Sequence, residues 1–418
     1  MNNSDKKINV PRVRFKGFDG EWKINCFHEM ASLRRGLTYS PSNLRSKGIR
    51  VLRSSNIADG CFVLFDDDVF VDKECVNIPM TTQNDILITA ANGSPRLIGK
   101  HCLLSINNEP MVPGGFMLLA TCREPLFLNA SMSASWFQHF LITGTSGGNG
   151  SIGNLNKNEL EKAFFYIPVS KDERNSIAQY FSSLDSLIKA TEKKIASFRQ
   201  VKEASLQAMF PAEGETVPKV RFKGFEGEWK KEKLSKYAKR ITRKNSNLET
   251  TLPITISSEN GIVSQTSFFN NVVASSNLRG YYLIKRGEFA YNKSYSNGYP
   301  WGSVKRLDKY KMGALSTLYI VFELDAFISH EYAISFFETN LWHKEVAMRA
   351  AEGARNHGLL NISADDFLDI NILVPTEIAE QRKIASYFTN LDKQIAIQTQ
   401  RLEKLKQIKS ACLDVMFV

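Results

Sequence analysis

The sequence predicts two mixed α/β (α+β) domains in tandem, each followed by one long α-helix, the two helices burying each other as a coiled coil. Three observations carry this. An eleven-residue stretch is written twice, as VRFKGFDGEWK from Val13 and as VRFKGFEGEWK from Val220. Two segments without proline or glycine, 171–209 and 377–416, carry apolar residues at helical spacing. Between these repeated parts lie short apolar runs bounded by Gly, Asn, Asp and Pro, the punctuation of strands and turns.

Copying on this scale marks a duplicated structural unit. A second, more diverged block extends it: IPVSKDERNSIAQYFSSLDSLI from Ile167 aligns with VPTEIAEQRKIASYFTNLDKQI from Val374. Trp22 matches Trp229, Pro168 matches Pro375, Ile177 matches Ile384, and Leu184-Asp185 matches Leu391-Asp392, all offset by 207 positions. The stretches between, 24–160 and 231–367, have equal length but share little beyond Asn149/Asn356 and Leu155/Ile362. The expected organisation is a first domain over 1–163, a first long helix over 164–211, a connecting arm over 212–230, a second domain over 231–370 and a second long helix over 371–418, an internal repeat with pseudo-two-fold character.

Each helix follows a proline, Pro168 or Pro375, and Pro211 stops the first one. The first stripe runs through Ile177, Phe181, Leu184, Ile188, Ile195, Phe198 and Val201; the second through Ile384, Phe388, Leu391, Ile395, Leu402, Leu405 and Ile408. About forty residues at 1.5 Å each span roughly 60 Å, so the stripes are best buried against one another rather than around a cofactor. In the interiors, CFVLF, NDILIT, GFMLLA, GEFAYN and LYIVFEL read as strands. SASWFQHFLI and ISFFETNLWHKEVAMRAA read as helices.

A chain of 418 residues needs more than one core. Its composition, 43% hydrophobic and 23% charged, is that of a folded protein rather than a disordered one. A net charge of +11 and a pI near 9.2 favour an anionic partner, nucleic acid first. The most apolar stretch, LSTLYIVFELDAFI, is broken by Glu323 and Asp325, so no membrane span is expected. The first residues, MNNSDKKINVPR, lack the apolar centre of a signal peptide. The six cysteines are scattered without metal-site spacing, and the chain reads as cytoplasmic with reduced thiols.

Catalytic motifs fail when tested. GSPRLIGKH, from Gly93 to His101, has five residues between its glycines where a phosphate loop has four, and His101 stands where Ser or Thr should hold magnesium. GEWK ends like some metal-dependent nucleases but lacks the preceding Pro-Asp pair, and a packing role for Trp22 and Trp229 fits better. HEYAI, from His330, lacks the second histidine of a zinc-protease helix. Asn-Pro, needed by an adenine methyltransferase to hold its flipped base, is absent. No catalytic residue, metal site or bound cofactor is therefore assigned.

Basic charge is concentrated instead. From Met30 to Ala58 there are six basic residues, Arg34, Arg35, Arg45, Lys47, Arg50 and Arg53, and no acid. From Lys230 to Lys244 eight of fifteen residues are basic, among them Arg240, Arg243 and Lys244. Such clusters neutralise phosphates, and arginine also reads guanine edges. Polar loops supply further base readers: Asn92, Ser94, Arg96 and Lys100 in the first domain, then Lys293, Ser294, Tyr295, Arg306, Arg355 and Asn356 in the second. These nineteen positions are the candidate DNA-binding residues.

The doubled VPxVRFKGFxGEWK arm (written with Pro11-Arg12 in the first copy), VPTEIAEQRKIASYFTNLD before the last helix and YNKSYSNGYPWGSVKRLDKY together resemble the specificity subunit of type I restriction-modification enzymes along the whole chain. One departure is Glu173-Arg174 where the second copy has Glu380-Gln381. The resemblance implies two target recognition domains, each reading half of a split site in double-stranded DNA. It implies that the helices pack antiparallel as a spacer and dock two methyltransferase subunits, which methylate adenine with S-adenosylmethionine. Restriction subunits would add ATP- and magnesium-dependent translocation and cleavage. Two other readings stay open on the residues alone: a two-domain scaffold or adaptor for another acidic partner, and an enzyme whose active site lacks a known motif.

Overall fold

The computed structural model describes residues 9–105, 109–146, 154–269, 277–296, 298–350 and 360–418. They fall into two units, Met1–Glu192 with Gln400–Val418, and Lys193–Thr399. The two long helices, Lys171–Met209 and Ile378–Met416, have 39 residues each, and each supplies residues to both units. Among the described residues no helix is long and apolar enough to cross a membrane.

The duplicated arm makes the same structure twice. Its glycines sit at positive φ, Gly17 at 97° and Gly20 at 77°, Gly224 at 94° and Gly227 at 79°, where a side chain would be strained. Beyond them Lys23–Cys26 pairs antiparallel with Phe164–Ile167, placing Lys23 opposite Ile167. In the second unit Lys230–Lys233 pairs with Asn371–Val374, placing Lys230 opposite Val374, the same register 207 positions on. Trp22 and Trp229 are both 2% exposed, so the repeated tryptophan is a core residue in each unit.

The interiors, dissimilar in sequence, share a plan. In the first unit an antiparallel four-stranded sheet runs in the order Ala31–Arg35, Met117–Cys122, Ile86–Thr89, His101–Leu103. In the second the order is Ala238–Arg240, Ile320–Leu324, Phe289–Asn292, Ser303–Arg306. Each unit adds a second four-stranded sheet with one parallel pair, Met111–Pro113 on Ile49–Leu52 and Pro253–Ser257 on Met312–Leu315. In the antiparallel sheet strand order and pairing, rather than residue identity, are what the two copies keep.

Four elements differ from expectation: the long helices expected over 164–211 and 371–418 begin only at Lys171 and Ile378, after the strands Phe164–Ile167 and Asn371–Val374. CFVLF forms a strand only over Cys61–Phe62. The single helix expected over ISFFETNLWHKEVAMRAA is two, His330–Phe337 and His343–Arg349. Thr339 breaks it: its hydroxyl donates to the Phe336 carbonyl at 2.7 Å and accepts from the Leu341 amide at 3.3 Å, replacing helical bonds.

Within each unit the long-helix segments are antiparallel neighbours. Tyr180, Asp185 and Glu192 meet Cys412, Lys409 and Lys406 in the first. Lys202 and Ser205 meet Asp392 and Tyr387 in the second. Ile177, Phe181, Leu184, Ile188, Ile195, Ile384 and Phe388 are buried as the stripe requires. Val201 and Ile408 are not; each is 46% exposed. At that end of each helix the inward line passes through polar side chains, Lys202 and Ser205 or Lys409 and Cys412, which an apolar pattern overlooks.

The departure at Arg174 is also accommodated inside the fold. Arg174 binds the carboxylate of Glu124 at 2.7 and 3.0 Å and the Pro168 carbonyl at 2.7 Å. Gln381 bonds the matching Pro375 carbonyl at 3.1 Å and accepts from the Ser329 amide at 2.9 Å. Glu124 and Ser329 are both the residue that starts a helix, so the two side chains do the same positional task by different chemistry.

Candidate nucleic-acid interface

The predicted cations separate into those spent on the fold and those turned to solvent. Arg50 is held by Asp68 at 2.7 Å, Glu109 at 2.9 Å and the Phe65 carbonyl at 3.0 Å, and lies 4.5 Å over the Phe70 ring. Its side chain is only 12% exposed. Arg34 donates to the carbonyls of Pro79 and Met80, and burial lowers its pKa despite nearby Asp85. Arg45 pairs with Asp72 at 3.0 Å; the Glu74 amide and then Arg45 hold that carboxyl below its ordinary range. Arg243 grips both oxygens of Glu288 at 2.7 and 2.8 Å. Arg306 bridges Asp308 and Glu331, each at 2.7 Å.

Other positions stand free. Arg35, Lys47, Arg53, Arg96 and Lys100 are exposed, and among the described residues none has a carboxylate within ion-pair distance. In the second unit Arg240 lies 4.0 Å from the exposed Asp365. Lys244 caps the Gly280 carbonyl at 3.0 Å and lies 4.3 Å over the Tyr282 ring. Lys293 reaches the Ile362 carbonyl at 3.5 Å. Tyr295 is 56% exposed beside Ser294, whose amide is fixed by Asn292 at 3.0 Å. Arg355 and Asn356 lie outside the described residues.

One cluster in the first unit is built rather than scattered. Asn92 donates to the Ser54 hydroxyl at 3.0 Å and accepts from the Ser94 amide at 3.0 Å. Its amide group is thus consumed in tying the Arg53 loop to the Arg96 loop, which brings both guanidinium-bearing segments together. Phe116 joins them: its carbonyl accepts from the amides of Ala90 and Ala91 at 2.9 and 3.1 Å, while its ring is 75% exposed. Sequence reasoning missed Phe116; the signal was an aromatic after Gly114-Gly115, a turn too tight to tuck the ring inside. Lys239, exposed on an edge strand next to Arg240, was missed as well.

A cavity of about 800 Å³ in the second unit is built differently from this cluster and is lined by residues of 212–216, 343–348 and 371–373. Its buried carboxylate, Glu345, is committed to the Asn371 amides at 2.9 and 3.1 Å and to Arg349 at 2.8 Å. These bonds lower its pKa against the opposing effect of burial, so it is not a poised acid. Among the described residues no group of three His, Cys, Asp or Glu is placed to hold a metal ion.

Residues 302–407 match the family described as type I restriction modification DNA specificity domain. The S subunit of the type I restriction-modification system of M. genitalium aligns with a TM-score of 0.60 at 15% identity, covering 98% of this chain and 99% of that one. The HsdS subunit of Thermoanaerobacter tengcongensis aligns at 13% identity with a TM-score of 0.41, covering 95% and 96%. No curated protein sequence matches the chain.

Proposed function

We propose that this chain is the specificity subunit of a type I restriction-modification system: it supplies the address, and partner subunits supply the chemistry. Each unit is a target recognition domain that reads one half of a split site in double-stranded DNA. Two methyltransferase subunits, binding S-adenosylmethionine, dock on the repeated frame and methylate adenine. Restriction subunits, using ATP and magnesium, act on unmodified DNA. The setting is the cytoplasm. The chain itself is non-catalytic.

The observation that carries this reading is the contrast between frame and filling. The arm, its strand register and the helix contacts recur at an offset of 207, while the loops and cations placed on the common sheet plan differ. A repeated frame fits two like partners; different fillings fit two different DNA sequences. In the first unit the Arg53–Asn92–Arg96 cluster, with Phe116 as an exposed ring beside it, supports base and phosphate contact there. In the second unit Lys239, Arg240, Lys244 and Tyr295 occupy the comparable role.

The test is to express the chain with the methyltransferase subunit encoded beside it and to map methyladenine across the host genome. The reading predicts one split motif with a fixed gap. Methylation without a motif, or methyl transfer by the isolated chain, contradicts it.

A further inference from the structure

One turn recurs in both units although its sequence does not. In the first unit the parallel strand Met111–Pro113 passes through Gly114-Gly115-Phe116 into Met117–Cys122, the second strand of the antiparallel sheet. In the second, Met312–Leu315 passes through Ser316-Thr317-Leu318-Tyr319 into Ile320–Leu324, the strand in the same place. Each turn carries one large apolar side chain outward from buried neighbours. Phe116 is 75% exposed next to buried Met117; Leu318 is 58% exposed between buried Leu315 and Ile320.

Both turns are fixed. A β-carbon on Gly36 would overlap the Gly114 carbonyl, and one on Gly114 would meet the Leu52 carbonyl and Val51 Cγ1, each at 3.1 Å. Three segments are thus pressed together at Phe116, and the Met117 amide closes the turn on the Gly114 carbonyl at 2.8 Å. The Leu318 amide donates to the Ser316 hydroxyl at 3.3 Å, and the Tyr319 hydroxyl lies 3.0 Å from that of Thr255. A loop of candidate base readers leaves the sheet beside each turn. Thr89, shortly before Ser94 and Arg96, pairs with Met117; Tyr291, shortly before Lys293, Ser294 and Tyr295, pairs with Ile320. Cations stand there too. Exposed Arg53 has its Cγ 3.9 Å from where a Gly114 β-carbon would be, and Lys244 lies over the Tyr282 ring, Tyr282 pairing with Leu315. One exposed apolar side chain needs no explanation. The same exposure at the same turn of two dissimilar sequences, each time beside cations and polar loops, does.

We infer that Phe116 and Leu318 are wedges, each entering between stacked base pairs of the half-site its unit reads. Apolar side chains inserted in this way unstack a base step and kink the duplex, while nearby cations hold the phosphates. A duplex already opened at one step costs less to open further, so each wedge eases the extrusion of the adenine that the partner methylates. The wedges act on the shape of the DNA and leave the chemistry to the partner. The inference rests on the reading of the chain as a specificity subunit.

The experiment uses the full chain co-expressed and purified with its methyltransferase subunit, on duplexes carrying the split motif that genome mapping gives. Methylation of each half is timed for Phe116→Ala and Leu318→Ala, on a fully paired duplex and on one with an abasic site opposite the target adenine. On the paired duplex each variant should slow methylation of one half about tenfold or more, with melting temperature unchanged. On the abasic duplex, already unstacked, each variant should match the wild-type rate. Phe116→Leu and Leu318→Phe, which keep an apolar wedge, should keep most of the rate on both. Wild-type rates on the paired duplex, or the same loss on both duplexes, overturn the wedge while the specificity reading stands. Loss of bound methyltransferase subunits from the alanine variants, counted by native mass spectrometry, makes the turn a protein contact and overturns it as well. If the wild-type complex methylates without a motif, the specificity reading fails and takes the inference with it.

Discussion

Arg14 holds Glu173 in a fork, Nε to Oε1 at 2.6 Å and Nη2 to Oε2 at 2.7 Å, across 159 positions of sequence. The third guanidinium nitrogen donates to the Gly20 carbonyl at 2.6 Å, so one side chain ties the arm's turn to the first turn of the long helix. Arg221 repeats every bond on Glu380 and Gly227. Two planar groups meeting two-to-two resist sliding and rotation, which suits a frame that must be the same in both units.

Removing one member of this pair should therefore be costly. Glu173 and Glu380 are each 1% exposed in the side chain, and Arg14→Ala or Arg221→Ala leaves a buried carboxylate without its counter-charge. A loss of about 3–5 kcal/mol is expected for the unit concerned. Urea unfolding followed by hydrogen exchange checks this: Arg14→Ala should deprotect the first unit and Arg221→Ala the second. Equal loss in both units from either change would contradict the account.

The chain's last residues complete its first unit. Phe417 packs against Trp22 at 6.0 Å, Phe127 at 6.2 Å and Phe181 at 5.8 Å, as Phe210 packs against Trp229, Tyr332 and Phe388. Phe417→Ala should destabilise the first unit by about 3–5 kcal/mol. Limited proteolysis should then cut within residues 9–192 before it cuts the second unit.

Burial makes the first unit sensitive to acid. His101 lies within hydrogen-bond distance of the Gly99 carbonyl through Nδ1 at 2.9 Å and of the Asn129 carbonyl and the Ser133 hydroxyl through Nε2, each at 3.2 Å, and it meets the Phe137 ring edge-on at 5.6 Å. Desolvation lowers its pKa below the ordinary 6.5, against the opposing pull of the Gly99 and Asn129 carbonyls. Below that pH the unfolded chain binds the proton that the folded unit refuses, so stability falls as pH drops and returns as it rises. The urea midpoint should be lower at pH 5.5 than at pH 7.5, and His101→Gln should flatten the difference in the first unit. A slope unchanged by the substitution would put the acid sensitivity elsewhere.

Cations that look alike in sequence should behave differently. Arg53→Ala, Arg96→Ala and Lys100→Ala should each reduce the slope of log affinity against log salt by about one, with melting unchanged. Arg50→Ala should instead cost about 3 kcal/mol or more of stability, because Asp68, 1% exposed, loses its partner. Arg243→Ala should destabilise the second unit through Glu288 in the same sense. DNA binding and thermal melting, measured side by side, separate the two groups.

That contrast marks what the sequence reveals and where it stops. The repeat was legible because a rigid frame tolerates few residues: glycines at positive φ, the Arg–Glu fork and the buried tryptophan leave a copy at constant offset. The common sheet plan of the two interiors was not, because a buried strand asks only for a short apolar run, and unrelated residues supply one equally well. Among the candidate DNA-binding residues, type and clustering located the basic segments. They did not reveal that Arg34, Arg50, Arg243 and Arg306 meet partners from distant strands and turns, since those carboxylates and carbonyls lie 15 to 59 positions away. Phe116 escaped notice because its exposure depends on a turn, not on its own chemistry.

The central claim is that one frame, built twice, carries two independent readers. Exchanging residues 231–367 for the same interval of a type I restriction-modification specificity subunit and remapping methyladenine tests it directly. The account predicts that one half of the split motif changes while the other half and the efficiency of methylation are kept. A change in both halves would contradict it.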